Sequence, residues 1–353
     1  MNFVFDLDDT ISRHKNRDYP NAMPIEDTIE KIRRLSEAGC TITIYSSRGQ
    51  NSCKGDLALI EERNRGQVEE WLARHHVPYD RLVFGKPLGD VYVDDKGVGL
   101  EEFLWEEYVP LYGNSGAEVF RAGKRVLKRC ASAKEEAEWY EKARQIGLRV
   151  PKVNSVVLDC IDLDYIDGVP GNVKMLSTKD LYSIVSQILL MGFFKDEAGF
   201  NADSYLRHIT DKLILVGWEH DFEQFMKYLA ENAPNIKGTF SHGDLSLSNI
   251  IFAADGIYLI DPSGRREFST YHNDFAKLRF SLDGGEQFLH GGERPDEYMT
   301  ALRELDAILE QNGILQIVKA LECGHWIRLI GYFNKSGELE EIYRNAKRVE
   351  AEL

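Results

Sequence analysis

Two aspartates near the N-terminus are placed for carboxylate chemistry. Asp6 and Asp8 lie two residues apart in FDLDDT, directly after the apolar run Phe3–Phe5, which the pattern predicts to be a strand. A carboxylate that attacks phosphorus needs a metal ion to neutralise negative charge, an acid for the leaving oxygen, and donors for the other phosphoryl oxygens. Two carboxylates at one strand end can act as nucleophile and acid, and both can contact the metal ion.

Later segments of the same region end in side chains that suit a phosphate or a metal ion. These are the hydroxyls of Ser46 and Ser47, the ammonium group of Lys86, and the carboxylates of Asp94 and Asp95. A seryl hydroxyl can hold a phosphoryl oxygen, a lysine can neutralise the transition state, and carboxylates are Mg²⁺ ligands. Because ligands of an open parallel sheet collect beyond the carboxyl ends of its strands, we expect these groups to meet at one edge.

Strands and helices alternate over the first hundred residues. Ile25–Ala38 has apolar residues at helical spacing and is closed by Gly39, and a polar helix is expected over roughly Gly55–His75. Short β-rich runs, Cys40–Tyr45 and Arg81–Phe84, follow these helices. The alternation predicts an α/β domain at residues 1–105 with a doubly wound parallel sheet.

In their order along the chain, these elements resemble the haloacid dehalogenase (HAD) superfamily of phosphatases. The resemblance covers about residues 1–100 and implies that Asp6 is the nucleophile that becomes aspartyl-phosphate and that Asp8 is the general acid and base. It also implies that Ser46 or Ser47 binds phosphate together with Lys86. The metal ligands that it implies are Asp6, Asp8, Asp94 and Asp95.

The cap insertions of that superfamily are not expected in this chain. Only about fifteen residues separate Thr10 from the first helix, and no full domain fits between Arg48 and Lys86. A capless site is open, which permits a bulky substrate.

A second constellation lies at residues 242–261. In HGDLSLSN, Asp244 and Asn249 are five residues apart, the spacing of a kinase catalytic loop, and Asp261 follows the apolar run Ile257–Ile260. Asp244 can accept or orient the proton of a substrate hydroxyl, while Asn249 and Asp261 can bind Mg²⁺.

Residues suited to a nucleotide lie upstream of this loop. The turn GNSG at 113–116 can offer the backbone amides of Ser115 and Gly116 to phosphates. Lys128 ends the next β-like run, where a lysine can reach the α- and β-phosphates, and Glu136 in the following helix can pair with it.

Together these features resemble the aminoglycoside phosphotransferase and choline kinase family over about residues 110–350. The resemblance implies a bilobal, protein-kinase-like α+β domain at 106–353, with an N-lobe at about 106–166 and a C-lobe at about 167–353. It implies a hinge where the backbone of Leu163 and Tyr165 meets the nucleotide base. His242 is expected to orient the loop, and Asp274 to brace it.

The composition of the chain limits the classes of partner that we expect it to bind. A net charge of −15 over 353 residues argues against a general nucleic-acid binder, because nothing neutralises a phosphate backbone. The sequence has no run of about 18 apolar residues, so no membrane-spanning segment is predicted. The five cysteines are scattered, which is typical of reduced thiols in a cytoplasmic protein and does not favour a structural zinc site.

The sequence therefore predicts a bifunctional cytoplasmic enzyme, a Mg²⁺-dependent phosphatase fused to a kinase that uses ATP or GTP. The expected substrates are a phosphorylated metabolite and a sugar, polyol or amino-alcohol acceptor. The favoured setting is synthesis of nucleotide-activated glycan or capsule precursors, with a nucleotidyltransferase of that pathway as a candidate partner.

Two alternatives stand beside this interpretation. The kinase-like half could bind a nucleotide and regulate the phosphatase without transferring phosphate, although the complete set of Asp244, Asn249 and Asp261 argues against it. A polynucleotide end-healing enzyme also pairs the two activities, but the chain lacks GxxxxGK[ST] and is acidic.

Overall fold

The computed structural model describes residues 1–14, 18–89, 97–99, 103, 108–111, 117–157, 159–196, 199–263, 268–333 and 336–353. The chain divides into two compact units, Met1–Ala131 and Ser132–Leu353. The strands between residues 108 and 129 belong to the first compact unit, whereas the sequence assigns them to the second predicted domain. The domain boundary at 105/106 stays a prediction.

The first unit is built on three parallel strands. Its elements are β1 (Asn2–Phe5), β2 (Ser12–Arg13), β3 (Met23–Pro24), α1 (Glu26–Glu37), β4 (Thr41–Ser46), α2 (Leu57–Arg74), β5 (Arg81–Phe84), β6 (Tyr108–Leu111), β7 (Glu118–Ala122) and β8 (Arg125–Arg129). The sheet order is β1-β4-β5, with Phe5 paired to Ile44 and Ser46 paired to Phe84. The three carboxyl ends therefore lie at one edge, as the sequence predicts.

The connecting helices form where the apolar spacing places them. Helix α1 buries Ile29, Ile32 and Leu35 on one face, and Gly39 follows it with φ +79°, a left-handed conformation that closes the helix. Helix α2 begins at Asp56, whose side chain accepts a hydrogen bond from the Leu59 amide at 3.2 Å. Strands β6, β7 and β8 form an antiparallel meander in the same unit.

The second unit is mostly helical. Its strands are β9 (Val153–Val157), β10 (Cys160–Asp164), β11 (Gly168–Pro170), β12 (Ile250–Ala253) and β13 (Gly256–Leu259). Its helices are α3 (Ala133–Gln145), α4 (Thr178–Gly192), α5 (Ala202–Val216), α6 (Glu223–Asn232), α7 (Tyr271–Leu282), α8 (Gly285–Leu289), α9 (Glu297–Gln311), α10 (Leu315–Arg328) and α11 (Ser336–Glu350), with 3-10 turns at Gly171–Val173, Ala233–Asn235 and Leu247–Asn249. Strands β9 and β10 pair antiparallel, and β11, β12 and β13 form a second antiparallel sheet.

Helix α7 is the central element of the second unit. Nine of its side chains are buried, and it packs against α4, α9 and α10. It also lies beneath the segment that precedes β12, because the Leu247 amide donates to the Ser281 hydroxyl at 3.1 Å. Helix α7 thereby supports the loop that carries HGDLSLSN.

No helix among the described residues combines the length and the apolar character needed to cross a membrane.

Candidate functional site

The edge of the parallel sheet in the first unit brings a carboxylate and a lysine together. Asp6 follows β1 and Lys86 follows β5, and Lys86 Nζ lies 3.3 Å from Asp6 Oδ1. Burial raises the pKa of Asp6 above its usual value, while the Lys86 ammonium acts in the opposite direction. The contact joins two residues that the sequence analysis assigns to one site, and their roles as nucleophile and charge-neutralising cation stay predictions.

Asp8 is held by an arginine that the sequence interpretation did not assign. Arg48 Nη2 donates to Asp8 Oδ1 at 2.5 Å, and its Nε donates to Oδ2 at 3.3 Å. The Arg48 guanidinium is buried and lies 4.3 Å from the centre of the Tyr19 ring. Such two-point pairing fixes the orientation of a carboxylate as well as its position. Arg48 lies two residues after β4 in the segment SSRG, but nothing local to that segment identifies its partner forty residues away.

The two candidate serines have different surroundings. The Ser46 side chain is fully buried, and its Oγ accepts a hydrogen bond from the Arg48 amide at 3.0 Å, which stabilises the turn after β4. Ser47 is half-buried. Both hydroxyls stay candidates for the phosphate contact.

Several residues of the predicted sites lie outside the described part of the chain. They are Asp94 and Asp95 of the predicted metal site and Ser115 and Gly116 of the predicted nucleotide loop. Within the described ranges, no group of three or more His, Cys, Asp or Glu side chains is placed to hold a metal ion.

A buried carboxylate on α7 holds the backbone of the HGD loop in the second unit. Asp274 of α7 accepts hydrogen bonds from the His242 amide (Oδ2) and the Gly243 amide (Oδ1), each at 2.8 Å. Gly243 adopts φ +79°, a backbone conformation that residues with a side chain rarely take. This conformation explains why a glycine stands at the middle position of HGD. Burial raises the pKa of Asp274 to about 7, although the two amides favour its ionised form.

His242 connects the loop to the segment after β13. Its Nε2 donates to the Ile260 carbonyl at 2.9 Å, and its own carbonyl accepts from the Ser263 amide at 2.9 Å. The ring lies edge-on to Trp139 with centroids 5.2 Å apart. These contacts tie the loop to the segment that carries Asp261, and the orienting role of His242 stays a prediction.

Asp244 forms an ion pair with a lysine on α7. Lys277 Nζ lies 2.9 Å from Asp244 Oδ1, and the Asp244 side chain is 47% exposed. Protein atoms around this half-exposed carboxylate desolvate it and act to raise its pKa, but the Lys277 charge outweighs this effect and holds that pKa below its usual value. Lys277 is three residues after Asp274 on the same helix, and the sequence interpretation did not assign it.

Asn249 and Asp261 are held next to the loop by backbone contacts. Asn249 Nδ2 donates to the Asp244 carbonyl at 2.8 Å, so its amide oxygen is the atom left for a ligand. The Ile260 amide donates to the Asn249 carbonyl at 3.0 Å, which brings the start of the Asp261 segment to Asn249. Asp261 has φ +58°, and its amide donates to the Tyr140 hydroxyl at 2.9 Å.

This donor set fits Mg²⁺ bound through a nucleotide. Mg²⁺ usually takes one or two protein oxygens and completes its shell with phosphates and water. An amide oxygen at Asn249 and a carboxylate at Asp261, the latter in a strained left-handed conformation, match that requirement.

The remaining predicted nucleotide residues lie on regular elements. Lys128 is a buried residue of β8 in the first unit. Glu136 is buried in the first turn of α3 in the second unit, where its Oε1 accepts from the Ser132 hydroxyl at 3.0 Å. Leu163 is buried in β10, and Tyr165 follows that strand. Their pairing and nucleotide contacts stay predictions.

Comparisons with known proteins give a fold for much of the chain. No protein-family model and no curated protein matches. The gentamicin complex of the aminoglycoside phosphotransferase APH(2")-IIa is 16% identical and covers 72% of this chain and 93% of its own, with a TM-score of 0.50. This likeness shows a shared α+β kinase-like fold.

Two further solved structures are similar to shorter parts of the chain. The choline kinase LicA from Streptococcus pneumoniae is 14% identical and covers 70% of this chain and 94% of its own, with a TM-score of 0.47. A structural-genomics target from Vibrio cholerae is 33% identical and covers 30% of this chain and 87% of its own, with a TM-score of 0.29.

Proposed function

We propose that the chain is a bifunctional enzyme, a nucleotide-dependent kinase of a small-molecule hydroxyl joined to a Mg²⁺-dependent phosphatase. The observation that carries the kinase half is the loop in which Asp274 fixes the backbone before Asp244 while Asn249 is tied to the Asp244 carbonyl. The kinase-like fold and the small-molecule phosphotransferases that share it support this choice.

In the kinase half, Asp244 receives or orients the proton of the acceptor hydroxyl. The hydroxyl oxygen bonds to the γ-phosphorus, the bond from that phosphorus to the bridging oxygen breaks, and a nucleoside diphosphate leaves. Lys128, supported by Glu136, is the candidate contact for the α- and β-phosphates, and Leu163 and Tyr165 are the candidate contacts for the base. Mg²⁺ held by Asn249 and Asp261 would neutralise the phosphates.

In the phosphatase half, Asp6 is the candidate nucleophile. Its Oδ bonds to phosphorus, the ester P–O bond breaks, and Asp8 supplies a proton to the leaving oxygen; water then hydrolyses the aspartyl-phosphate. The contact from Lys86 to Asp6 and the two contacts from Arg48 to Asp8 support this assignment, because they hold a cation beside each of the two carboxylates. Asp94 and Asp95 are the proposed further metal ligands.

The two activities are useful together only if they act at different positions. A kinase and a phosphatase that share one phosphate would run a futile cycle, whereas a kinase at one hydroxyl and a phosphatase at another would in effect move a phosphate. Activation of sugars, polyols or amino-alcohols for glycan or capsule precursors uses such steps, and this setting is our proposal by fold-level analogy. Action on unrelated substrates only, such as a protein serine, would contradict it.

The second candidate is a phosphatase regulated by a kinase-like domain that binds nucleotide without transfer. The ion pair between Lys277 and Asp244 is the observation that favours it, because the proposed base is already paired. Nucleotide binding without turnover across a broad alcohol panel would support it.

A phosphorus NMR time course separates these candidates. The mixture contains the full chain, Mg²⁺, ATP and GTP, and a panel of sugars, polyols and amino-alcohols with their phosphates. A new phosphomonoester that grows with nucleoside diphosphate, while another phosphomonoester loses phosphate, is the expected result. Phosphate release beside untouched nucleotide would replace the bifunctional proposal with the regulated phosphatase.

A further inference from the structure

A lysine lies against Asp244, and two further basic side chains lie in the last turn of α10. Lys277 contacts its carboxylate at 2.9 Å, and Arg328, at the last turn of α10, donates from Nη1 to His325 Nδ1 at 3.4 Å. The His325 ring and the Lys277 ammonium pack around one aromatic ring, that of Phe280, at 5.9 Å and 5.3 Å from its centroid. Lys277, His325 and Arg328 are called the basic cluster below.

His325 lies within electrostatic range of Lys277, Arg328 and Asp244. Burial holds the pKa of His325 well below its usual value, the charges of Arg328 and Lys277 lower it further, and Asp244 acts the other way. His325 is therefore neutral at pH 7, and because Nδ1 accepts from Arg328, its proton lies on Nε2. The Nε2 atom is buried, and the backbone of Asn273 lies close enough to the ring to act on its pKa in the same direction as Asp244.

Nearby carboxylates do not neutralise the cluster, because they have other partners. Glu322 of α10 is fully buried and bonded to Arg279. Asp283, after α7, pairs with Arg294 at 3.1 Å and with Arg348. Arg328 has no carboxylate within 4.0 Å in the described ranges. Lys277 thus sets one positive charge against Asp244, and Arg328 holds a second one beside His325, in a chain whose net charge is −15.

We expect an acceptor with a positive charge to bind weakly beside the basic cluster. An amine or quaternary ammonium group is bound by carboxylates or by the open face of an aromatic ring. Here the Lys277 ammonium already lies over Phe280, and a second cation brought close to it without compensation would be repelled. An anionic group would instead gain charge-assisted hydrogen bonds from Lys277 and Arg328.

We propose that the basic cluster is an acceptor subsite for an anionic group, so that the alcohol phosphorylated by this chain carries a phosphate or carboxylate of its own. The proposal rests on the kinase function assigned above and names its substrate class. On arrival of the anion, Lys277 leaves Asp244 for the ligand, which frees the carboxylate to receive the hydroxyl proton. The paired state is then the resting state of the site.

Inorganic phosphate is the probe for this subsite. The Asp6→Asn full chain, saturated with Mg²⁺ and a non-hydrolysable ATP analogue, is titrated with phosphate while the His325 ring signal is followed by NMR and assigned with His325→Gln. Phosphate is expected to shift that signal, and Lys277→Met and Arg328→Met are each expected to weaken the Kd about tenfold. A signal that phosphate does not move, or an unchanged Kd in both variants, would overturn the proposal.

Charge-matched control variants distinguish a loss of phosphate binding at the basic cluster from a general loss of folding. Lys227→Met and Arg303→Met remove exposed cations of α6 and α9 and should leave the phosphate Kd unchanged. Lys277→Arg keeps the charge and should restore binding. Choline replaces phosphate in a parallel titration, and a His325 shift with choline but not with phosphate would reverse the assigned charge of the acceptor.

Transfer then links the subsite to the reaction. Glycerol, glycerol 3-phosphate, glycerate and choline are compared as acceptors by formation of nucleoside diphosphate, and the anionic alcohols are expected to exceed the neutral and cationic ones by at least about tenfold. Absence of transfer to every alcohol would refute the kinase function, while the phosphate titration still decides the subsite separately. Preference for choline would overturn the proposal.

Discussion

The carboxylate beneath the HGD loop offers a sharp test of how the loop is held. Asp274→Asn keeps the size of the side chain but turns one acceptor oxygen into an NH₂ group that faces a backbone amide. The two bonds at risk are those from the His242 and Gly243 amides, both 2.8 Å long. Asparagine can accept from one amide only, and the other amide loses its partner inside the protein.

The magnitude follows from these contacts. A hydrogen bond to a charged acceptor contributes about 1.5–3 kcal/mol, and a buried donor left without an acceptor costs about 1–3 kcal/mol. Removal of a buried charge offsets part of this loss, because burial is what raises the pKa of Asp274 to about 7. We expect a net loss of about 1–3 kcal/mol at pH 8, where the carboxylate is ionised.

The effect on transfer should exceed the effect on stability. Gly243 is adjacent to Asp244, so a loop that moves by about 1 Å misplaces the proposed base, and such shifts cost about 100-fold in rate. The assay is nucleoside diphosphate formation at varied nucleotide concentrations up to saturation, with urea unfolding of the same samples at pH 8. Asp211→Asn, an exposed change on α5, is the matched control and should leave both quantities unchanged.

A kcat for Asp274→Asn within about threefold of the original value would refute this reasoning. So would a rate loss that appears entirely in the KM for nucleotide, because the brace acts on the Asp244 segment rather than on nucleotide contacts.

Two further predictions concern buried charges. Stability of the second unit should fall as pH rises from about 5 to 7, by about 2 kcal/mol, because native Asp274, with a pKa of about 7 against 3.8 for a free aspartate, keeps a proton that the unfolded chain has lost. This contribution to the pH dependence of the unfolding free energy should be absent in Asp274→Asn. An identical pH dependence in the original chain and in the variant would contradict the prediction. In the first unit, Asp8→Asn should lower the unfolding free energy by about 3 kcal/mol, since it leaves the buried Arg48 without its carboxylate, and Asp8→Asn with Arg48→Met should recover part of the loss. A double-mutant cycle by urea unfolding measures this, and strict additivity would show that the pair is not coupled.

Local patterns were enough to predict the elements that carry the first candidate site. Apolar spacing and a closing glycine gave the helix now seen at Glu26–Glu37, and β-rich runs gave the parallel strands whose ends hold Asp6 and Lys86. Both signals act within a few residues of the chain, so the sequence contains them directly. The structure then places Asp6 and Lys86 in contact because parallel strands end at one edge.

Charge partners between distant segments were not predictable in the same way. Arg48 reaches Asp8 across forty residues, and Lys277 reaches Asp244 across thirty-three. Many arginines and lysines stand near helix faces, and nothing local distinguishes one that turns inward. Lys277 becomes identifiable only when Asp274, three residues earlier on α7, is seen to hold the HGD loop against that helix.

The central claim is that two independent phosphate chemistries occupy one chain, and paired inactivation tests it most directly. Phosphorus NMR follows the full chain, Asp6→Asn and Asp244→Asn in the same mixture of Mg²⁺, nucleotide, acceptor alcohol and a generic phosphomonoester. We predict that Asp6→Asn abolishes phosphate release while nucleotide still binds and transfers, and that Asp244→Asn abolishes transfer while release continues. Unchanged release in Asp6→Asn, or loss of both activities in either variant, would contradict the account.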